Sequence, residues 1–492
     1  MIQYNCYYCN ICVEGEWGMS GTLTKGRIDA TNGPIFSKMI WFVVPLMLTN
    51  LIQQLYTVAD NMVVGNFSSN ENALGAIGSC AAIVAFLTAL FAGFSAGTSA
   101  VVSRDFGARD HDALSKSTHT SMIISLGVGL AVGFVGFVFA EPILVALNVK
   151  SEFLADAIVY LRIRSAGMPF VALYNSSAAV LRSVGDSKTP LYILSSSGLA
   201  NVLLNLVFVI FFGMGADGVA YATLVSQVLS VLFVVLVLRA RRNEAYGLRW
   251  SDLRIDATAL KRILKFAIPG TIQGSVSHIM NVFLSSAANI FSGEVIEART
   301  VASNIDTILS TMITTYATVS ITFTGQNRGA KKPERIKKAL FCAFLQSVTI
   351  AFVVGQILLF FREPLITLFV NQEKYDIAEI TKYATVIMKI MIPSYMISGF
   401  TNSLVGFIKG LGHSLPTMII SIIDMGLVRA IWIFGLFPFF PTLEFLYYIY
   451  PVSWIMNLIC FGTVAIVLWK KYKAKLRAES ENVTEATAPD KA

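Results

Sequence analysis

The chain has 492 residues, of which 55% are hydrophobic and only 14% charged, and its net charge is +8. A soluble protein of this length would be roughly a quarter charged, so the composition excludes a soluble enzyme and points to lipid. The positive charge lies in short loops between apolar runs, and membrane topology accounts for it without a nucleic-acid partner.

In chain order, residues 1–34 read as a cytoplasmic N-terminal segment. Cys6, Cys9 and Cys12 have zinc-like or iron–sulfur-like spacing, but a fourth ligand is missing and the first histidine is His111. No metal site is expected, and residues 1–18 are expected to be an extension upstream of a start at Met19. Twelve apolar runs follow, near residues 39–64, 73–101, 118–140, 153–181, 190–212, 217–238, 260–284, 296–324, 339–361, 377–408, 416–438 and 446–469. Each can cross ~30 Å of hydrocarbon. Backbone groups in lipid must be satisfied internally, so the runs must be helices. The long fourth and tenth runs must tilt, bend or project. Residues 239–259 form a basic linker, and the polar segment 471–492 is expected to be a disordered cytoplasmic tail.

Alternate loops are basic. Arg104, Arg109 and Lys116 occupy one, Arg182 and Lys188 the next, and eight Lys or Arg lie between Arg239 and Lys265. Six more follow from Arg328 to Lys338, whereas the intervening loops hold only Lys150, Arg299, Arg362 and Lys374. This alternation predicts that both termini are cytoplasmic.

The chain also repeats itself. Pro45 pairs with Pro269, Gly107 with Gly329, Glu141-Pro142 with Glu363-Pro364, Pro169 with Pro393 and Gly185–Pro190 with Gly412–Pro416, always about 222–227 residues apart. Six spans per half is an even number, so the halves point the same way as parallel repeats. The expected fold is an all-α integral membrane protein with twelve transmembrane helices in two pseudo-symmetric six-helix lobes. The lobes would span residues 35–238 and 260–470. Neither half contains a phosphate-binding Gly-rich loop, so transport would draw on an ion or substrate gradient.

Polar residues inside the apolar runs mark the candidate site. Asp60 lies about five residues from the outer end of the first run, where a carboxylate costs about 2.5–3.5 kcal/mol on insertion scales. Thr49, Gln53, Tyr56, Thr57 and Asp60 share one helical face. Ser197, Asn201 and Asn205 recur every four residues on the fifth run, and Thr223 and Gln227 do so on the sixth. A polar pocket among these three runs is expected, although each pair alone reads more readily as interhelical glue. The second half has Gln273, Ser277, His278 and Asn281, then Asn304 and Asp306, then Asp424 and Arg429. Arg164 and Lys389 are expected to snorkel outward from the ends of the long helices.

Several stretches together resemble the multidrug and toxic compound extrusion (MATE) transporters. They are Pro45–Asn66 (PLMLTNLIQQLYTVADNMVVGN), Phe106–Asp110 (FGARD), Leu181–Pro190 (LRSVGDSKTP), Asn201–Asn205 (NVLLN) and Gly213–Thr223 (GMGADGVAYAT). Ile268–Gln273 (IPGTIQ) and Thr324–Lys332 (TGQNRGAKK) continue the resemblance in the second half. It implies two six-helix lobes arranged as a V, and efflux of drug-like, often cationic compounds in exchange for H+ or Na+. It implies a coupling-ion or proton site at Asp60 and Asn201, to which Asn205 and Thr223 are added, and a helix bend at Pro45. Asn205 stands where many members carry Asp, and no acid is found on the seventh run, which favours H+ over Na+. The expected substrate cavity takes in Gln53, Tyr56, Thr57, Gln227, Gln273, His278, Asn281, Asn304 and Asp424. The implied protein is a monomer in the plasma membrane with a small-molecule substrate, no cofactor besides the ion and no covalent catalysis. A lipid-linked oligosaccharide flippase of the same superfamily is the alternative.

Overall fold

The computed structural model describes residues 27–68, 70, 72–288, 290–370 and 376–486. The Cys6–Cys12 cluster and the expected extension before Met19 lie outside the described residues. Among those residues the chain is all-helical, with no strand. The first half comprises α1 (Ile35–Phe67), α2 (Ala73–Gly107), α3 (His111–Val138), the short α4 (Ala140–Ala146), α5 (Ser151–Ala166), α6 (Met168–Ser183), α7 (Lys188–Leu206) and α8 (Ala216–Ala240). The second repeats the order as α9 (Ala257–Ala288), α10 (Gly293–Gly329), α11 (Pro333–Phe360), the short α12 (Arg362–Phe369), α13 (Ile377–Gly410), α14 (Leu415–Ser421), α15 (Leu443–Tyr447) and α16 (Ile449–Ala486). Leaving out the short α4 and α12, counting α5 with α6 and α15 with α16, and extending α14 through the helical turns to Phe439, twelve spans match the twelve apolar runs, six per lobe.

Nine helical stretches among the described residues are long and apolar enough to cross a bilayer alone. The other three spans are interrupted or more polar. The fourth divides at Gly167 into two 16-residue helices. A Cβ on Gly167 would lie 2.2 Å from Gln227 Oε1, so the missing side chain makes room for that amide. The matching span in the second half, α13, runs unbroken through Pro393. α10 carries Glu294, Glu297, Arg299 and Asp306, and packs mainly against α13 and α2 rather than lipid.

The lobes meet through α2, which packs on α9 and α10. Glycines set this approach. A Cβ on Gly93 would sit 2.3 Å from Thr271 N, one on Gly107 2.0 Å from Gln326 O, and one on Gly329 2.1 Å from Arg104 O. Small residues let helix backbones approach this closely in a membrane. Most of these contacts gather at the end of the bundle that carries the basic loops.

α1 serves both lobes. Its early residues Met39, Phe42, Val43, Leu46 and Met47 share a core with Tyr316, Val319 and Phe323 of α10 and Ala339 of α11. Asn50 still reaches across, donating to Thr315 Oγ1 at 3.0 Å. Beyond it, Tyr56 donates to Leu194 O of α7 at 2.8 Å, and Val63 and Val64 join the first-lobe core. Pro45, buried inside α1, removes a backbone N–H just before this change of partner.

The tail departs from expectation. α16 continues to Ala486, where the sequence suggests disorder from residue 471. Its extension is rich in Lys, Ala and Glu, which favour helix. Lys475 pairs with Glu479 one turn on, and Lys331 and Lys473 tie the helix to the preceding basic loop through Glu479 and Glu334. The linker is also anchored. Tyr246 and Leu248 are buried, and Arg249 N donates to His119 Nε2 at 3.1 Å.

Candidate functional site

A cavity of about 690 Å³ opens inside the first lobe, walled by α1, α2, α5, α6, α7 and α8. Gln53, Tyr56, Thr57 and Asp60 of α1 line it, as do Asn201 of α7 and Thr223 and Gln227 of α8. Thr49, on the same α1 stripe, is instead buried and donates to Pro45 O at 2.7 Å.

Asp60 is half-buried at the cavity wall. Asn205 Nδ2 donates to its Oδ1 and lies 3.5 Å from Asn201 Oδ1. Four-residue spacing on α7 stacks the two amides on one face, so one carboxylate meets an amide ladder. Asn205 Oδ1 and Asn201 Nδ2 are both buried without a partner among the described residues. The ladder therefore holds one spare acceptor and one spare donor beside an ionisable group. Thr223 Oγ1 is occupied by Val219 O at 2.8 Å. Tyr56 fits because of Gly198, where a Cβ would fall 1.6 Å from the Tyr56 ring.

Sequence reasoning misplaced Arg164. It does not snorkel outward but lines the cavity, within electrostatic reach of Asp60. Its Nε has no partner among the described residues. Residue spacing gives a helix face but not the neighbour that face meets, so no signal in the chain distinguished the two placements. Lys389 is exposed, as a snorkelling side chain would be.

The second-half candidates do not join this cavity. Asp424 is fully buried and accepts from Ser453 Oγ at 2.8 Å and from Asn457 Nδ2. It forms a packed knot between helices, with the Arg429 guanidinium 5.1 Å from the Tyr450 ring centroid nearby. Gln273 donates to Ser421 Oγ at 2.8 Å and accepts from Lys409 Nζ at 2.9 Å, tying three helices together. Asn304 is exposed on α10. The side chains of His278 and Asn281 lie outside the described residues. The expectation of one cavity containing Gln273, Asn304 and Asp424 is thus corrected. Gln273 and Asp424 serve the second lobe's own packing. Asp306 is also held by a helix partner there, accepting from Tyr395 OH at 2.9 Å.

The MatE sequence profile matches this chain twice, over residues 45–207 and 269–434. The chain belongs to the MatE family. The two matches coincide with the two halves of the duplication, and the chain is a multi-pass membrane transporter of the MATE multidrug efflux type. Its relatives include the probable multidrug resistance protein YpnP of Bacillus subtilis (strain 168), 24% identical over 405 residues, which are 82% of this chain and 88% of the relative. The multidrug export protein MepA of Staphylococcus aureus (strain RF122 / ET3-1) is 24% identical over 80% of this chain and 85% of its own length. A MATE structure solved in complex with MaL6 superposes with a TM-score of 0.82 at 22% identity, covering 93% of this chain and 100% of the other. An outward-facing multidrug resistance MATE transporter gives 0.80 at 23% identity, covering 93% and 99%. These likenesses carry the MATE fold.

Proposed function

We propose that this MATE transporter is an ion-coupled antiporter. It exports amphipathic, often cationic small molecules from the cell in exchange for H+ (or Na+). It works as a monomer in the plasma membrane with both termini in the cytoplasm, and needs no other cofactor. One observation carries the reading: among the described residues a single carboxylate, Asp60, shares the first-lobe cavity with a single guanidinium, Arg164, and is bonded to an amide ladder.

With Asp60 ionised, the two charges cancel and the carboxylate can hold a cation. A proton on Asp60 leaves the Arg164 charge unopposed. At an effective dielectric of about 20, a unit cation about 8 Å from that charge is repelled by about 2 kcal/mol, more than tenfold in occupancy. Protonation also changes what Asn205 must do. An amide N–H suits a carboxylate, whereas the O–H of an acid suits the amide oxygen, which Asn205 supplies by turning over. The outer half of α1 then shifts on the first lobe while its inner half stays on the second. Driving a monovalent cation out against ~100 mV costs about 2.3 kcal/mol, which one entering proton offsets.

The test uses proteoliposomes loaded with ethidium-type dye, with a pH gradient or a sodium gradient imposed separately. Asp60→Asn is expected to insert and fold normally but lose gradient-driven transport. Full transport by that variant would refute the coupling role, and drive by sodium alone would replace H+ as the ion.

A further inference from the structure

We propose that the groove between α11, α13 and α16 is a binding site for an anionic phospholipid, with an acyl chain in the groove and the headgroup on Lys337. The groove encloses about 360 Å³ on the second lobe, away from the Asp60 cavity. Phe344, Phe400, Phe407 and Trp469 build its walls, and Lys337 is the one charged residue that lines it. Its floor has a slot where α16 carries Gly462: a Cβ there would meet nothing within 4 Å. The slot accepts hydrocarbon without displacing protein atoms.

The charge at the mouth selects the headgroup. Lys337 is exposed and makes no ion pair or hydrogen bond with another described residue. Two of the lysines near it differ. Lys331 is bound to Glu479 at 2.9 Å, and Lys473 to Glu334 at 3.2 Å while lying 5.5 Å from the Trp469 ring centroid. Acidic partners thus quench two nearby lysines and leave Lys337 free at the head of an apolar channel. Lys470 and Lys471 add exposed positive charge on the next turn of α16. An apolar protein partner would have no use for this cation, whereas a phosphate-bearing lipid satisfies groove and cation together. Each lysine at a membrane surface favours anionic over neutral lipid by about fivefold. Placing the site in the cytoplasmic leaflet follows from the proposed orientation; the lipid preference itself does not depend on the transport reading.

The experiment reconstitutes the full chain in nanodiscs containing either phosphatidylglycerol or phosphatidylcholine with brominated chains. Trp469 emission is taken as the difference between the chain and its Trp469→Phe variant. Brominated phosphatidylglycerol is expected to quench Trp469 at about fivefold lower mole fraction than brominated phosphatidylcholine. Lys337→Gln should remove most of that preference. Gly462→Leu, which fills the slot with a good helix former, should weaken quenching by both lipids. Equal quenching by the two lipids in the unmodified chain overturns the headgroup assignment. Unchanged quenching in Gly462→Leu overturns the acyl-chain assignment. Protection of Trp469 that grows with the ratio of chain to lipid would instead seat a second copy of the chain there.

Discussion

At the residue scale, the proposed coupling makes Arg164 the group that would convert a titration of Asp60 into a change of cavity charge. Removing it changes the arithmetic without removing the proton acceptor. In Arg164→Gln, the charge within the cavity swings between −1 and 0 rather than between 0 and +1. A cationic dye should then bind more tightly and leave more slowly. The expected result is a KM lowered several-fold for a cationic dye with a reduced maximal rate, and little change for a neutral one. Dye-efflux kinetics with a matched cationic and neutral pair would decide it. Equal effects on both dyes would reduce Arg164 to a packing residue. The amide ladder was legible in the sequence because i, i+4 spacing puts Asn201 and Asn205 on one face whatever the helix packs against. The orientation of Arg164 was not, because it depends on α5 turning toward the cavity rather than toward lipid. Asp424 shows the same limit from the other side. Ser453 and Asn457, from a helix about thirty residues away, supply its hydrogen bonds.

If transport is coupled as proposed, the element that must carry the coupling is α1. Its inner half belongs to the second-lobe core and its outer half to the first lobe, so any relative movement of the lobes must be absorbed within it. Pro45 removes one intrahelical bond before the change of partner, and Thr49 turns its hydroxyl onto the Pro45 carbonyl. Proline inside a helix costs about 3 kcal/mol relative to alanine. Pro45→Ala should restore the bond from residue 45 to the Trp41 carbonyl and stiffen the helix. Part of the gain is offset by the loss of a buried ring. The prediction is a thermal midpoint raised or unchanged together with markedly slower efflux. Unaltered turnover in Pro45→Ala would show that α1 moves as a rigid rod. All twelve spans could be read from apolar length, because lipid forces every buried backbone group into a helix. The break at Gly167 could not. It answers to Gln227 on another helix, and the equivalent α13 passes its own proline without interruption. Widened turns follow α7 at Val207–Phe211 and α14 at Ile422–Val428, beside the amide ladder and the Asp424 knot respectively. Such turns often accompany functional sites, and no composition signal marked them.

For the whole molecule, the basic end is the closed end. The Gly107–Gln326 and Gly329–Arg104 approaches are reinforced by Arg262, which donates to Asp105 Oδ1 at 2.9 Å and to Ser117 Oγ at 3.1 Å. Residues 27–33 form a strap across both lobes. Ile28 N bonds Gly185 O on the first lobe, and Arg27 pairs with Glu244 of the linker that follows it. Ala30 meets Gln326 and Asn327, and Arg335 reaches the Ala30 and Gly33 carbonyls, on the second. Gln326 joins all three parts, since its Oε1 accepts from Ala30 N at 3.0 Å and its Nε2 donates to Ser183 O at 2.8 Å. Alternating access requires these contacts to break when the cavity turns inward. Gln326→Leu keeps the volume and removes both bonds, leaving a donor and an acceptor buried without partners. Each such group costs about 1–3 kcal/mol, and the cost falls only on the closed arrangement, because water reaches both groups once the end opens. The population should therefore move at least tenfold toward the open form. Spin labels at His111 and Lys338, exposed on opposite lobes, should show a longer distance gaining amplitude in Gln326→Leu. An unchanged distance distribution with a lower thermal midpoint would mean that Gln326 stabilises the bundle as a whole and does not hold this end shut.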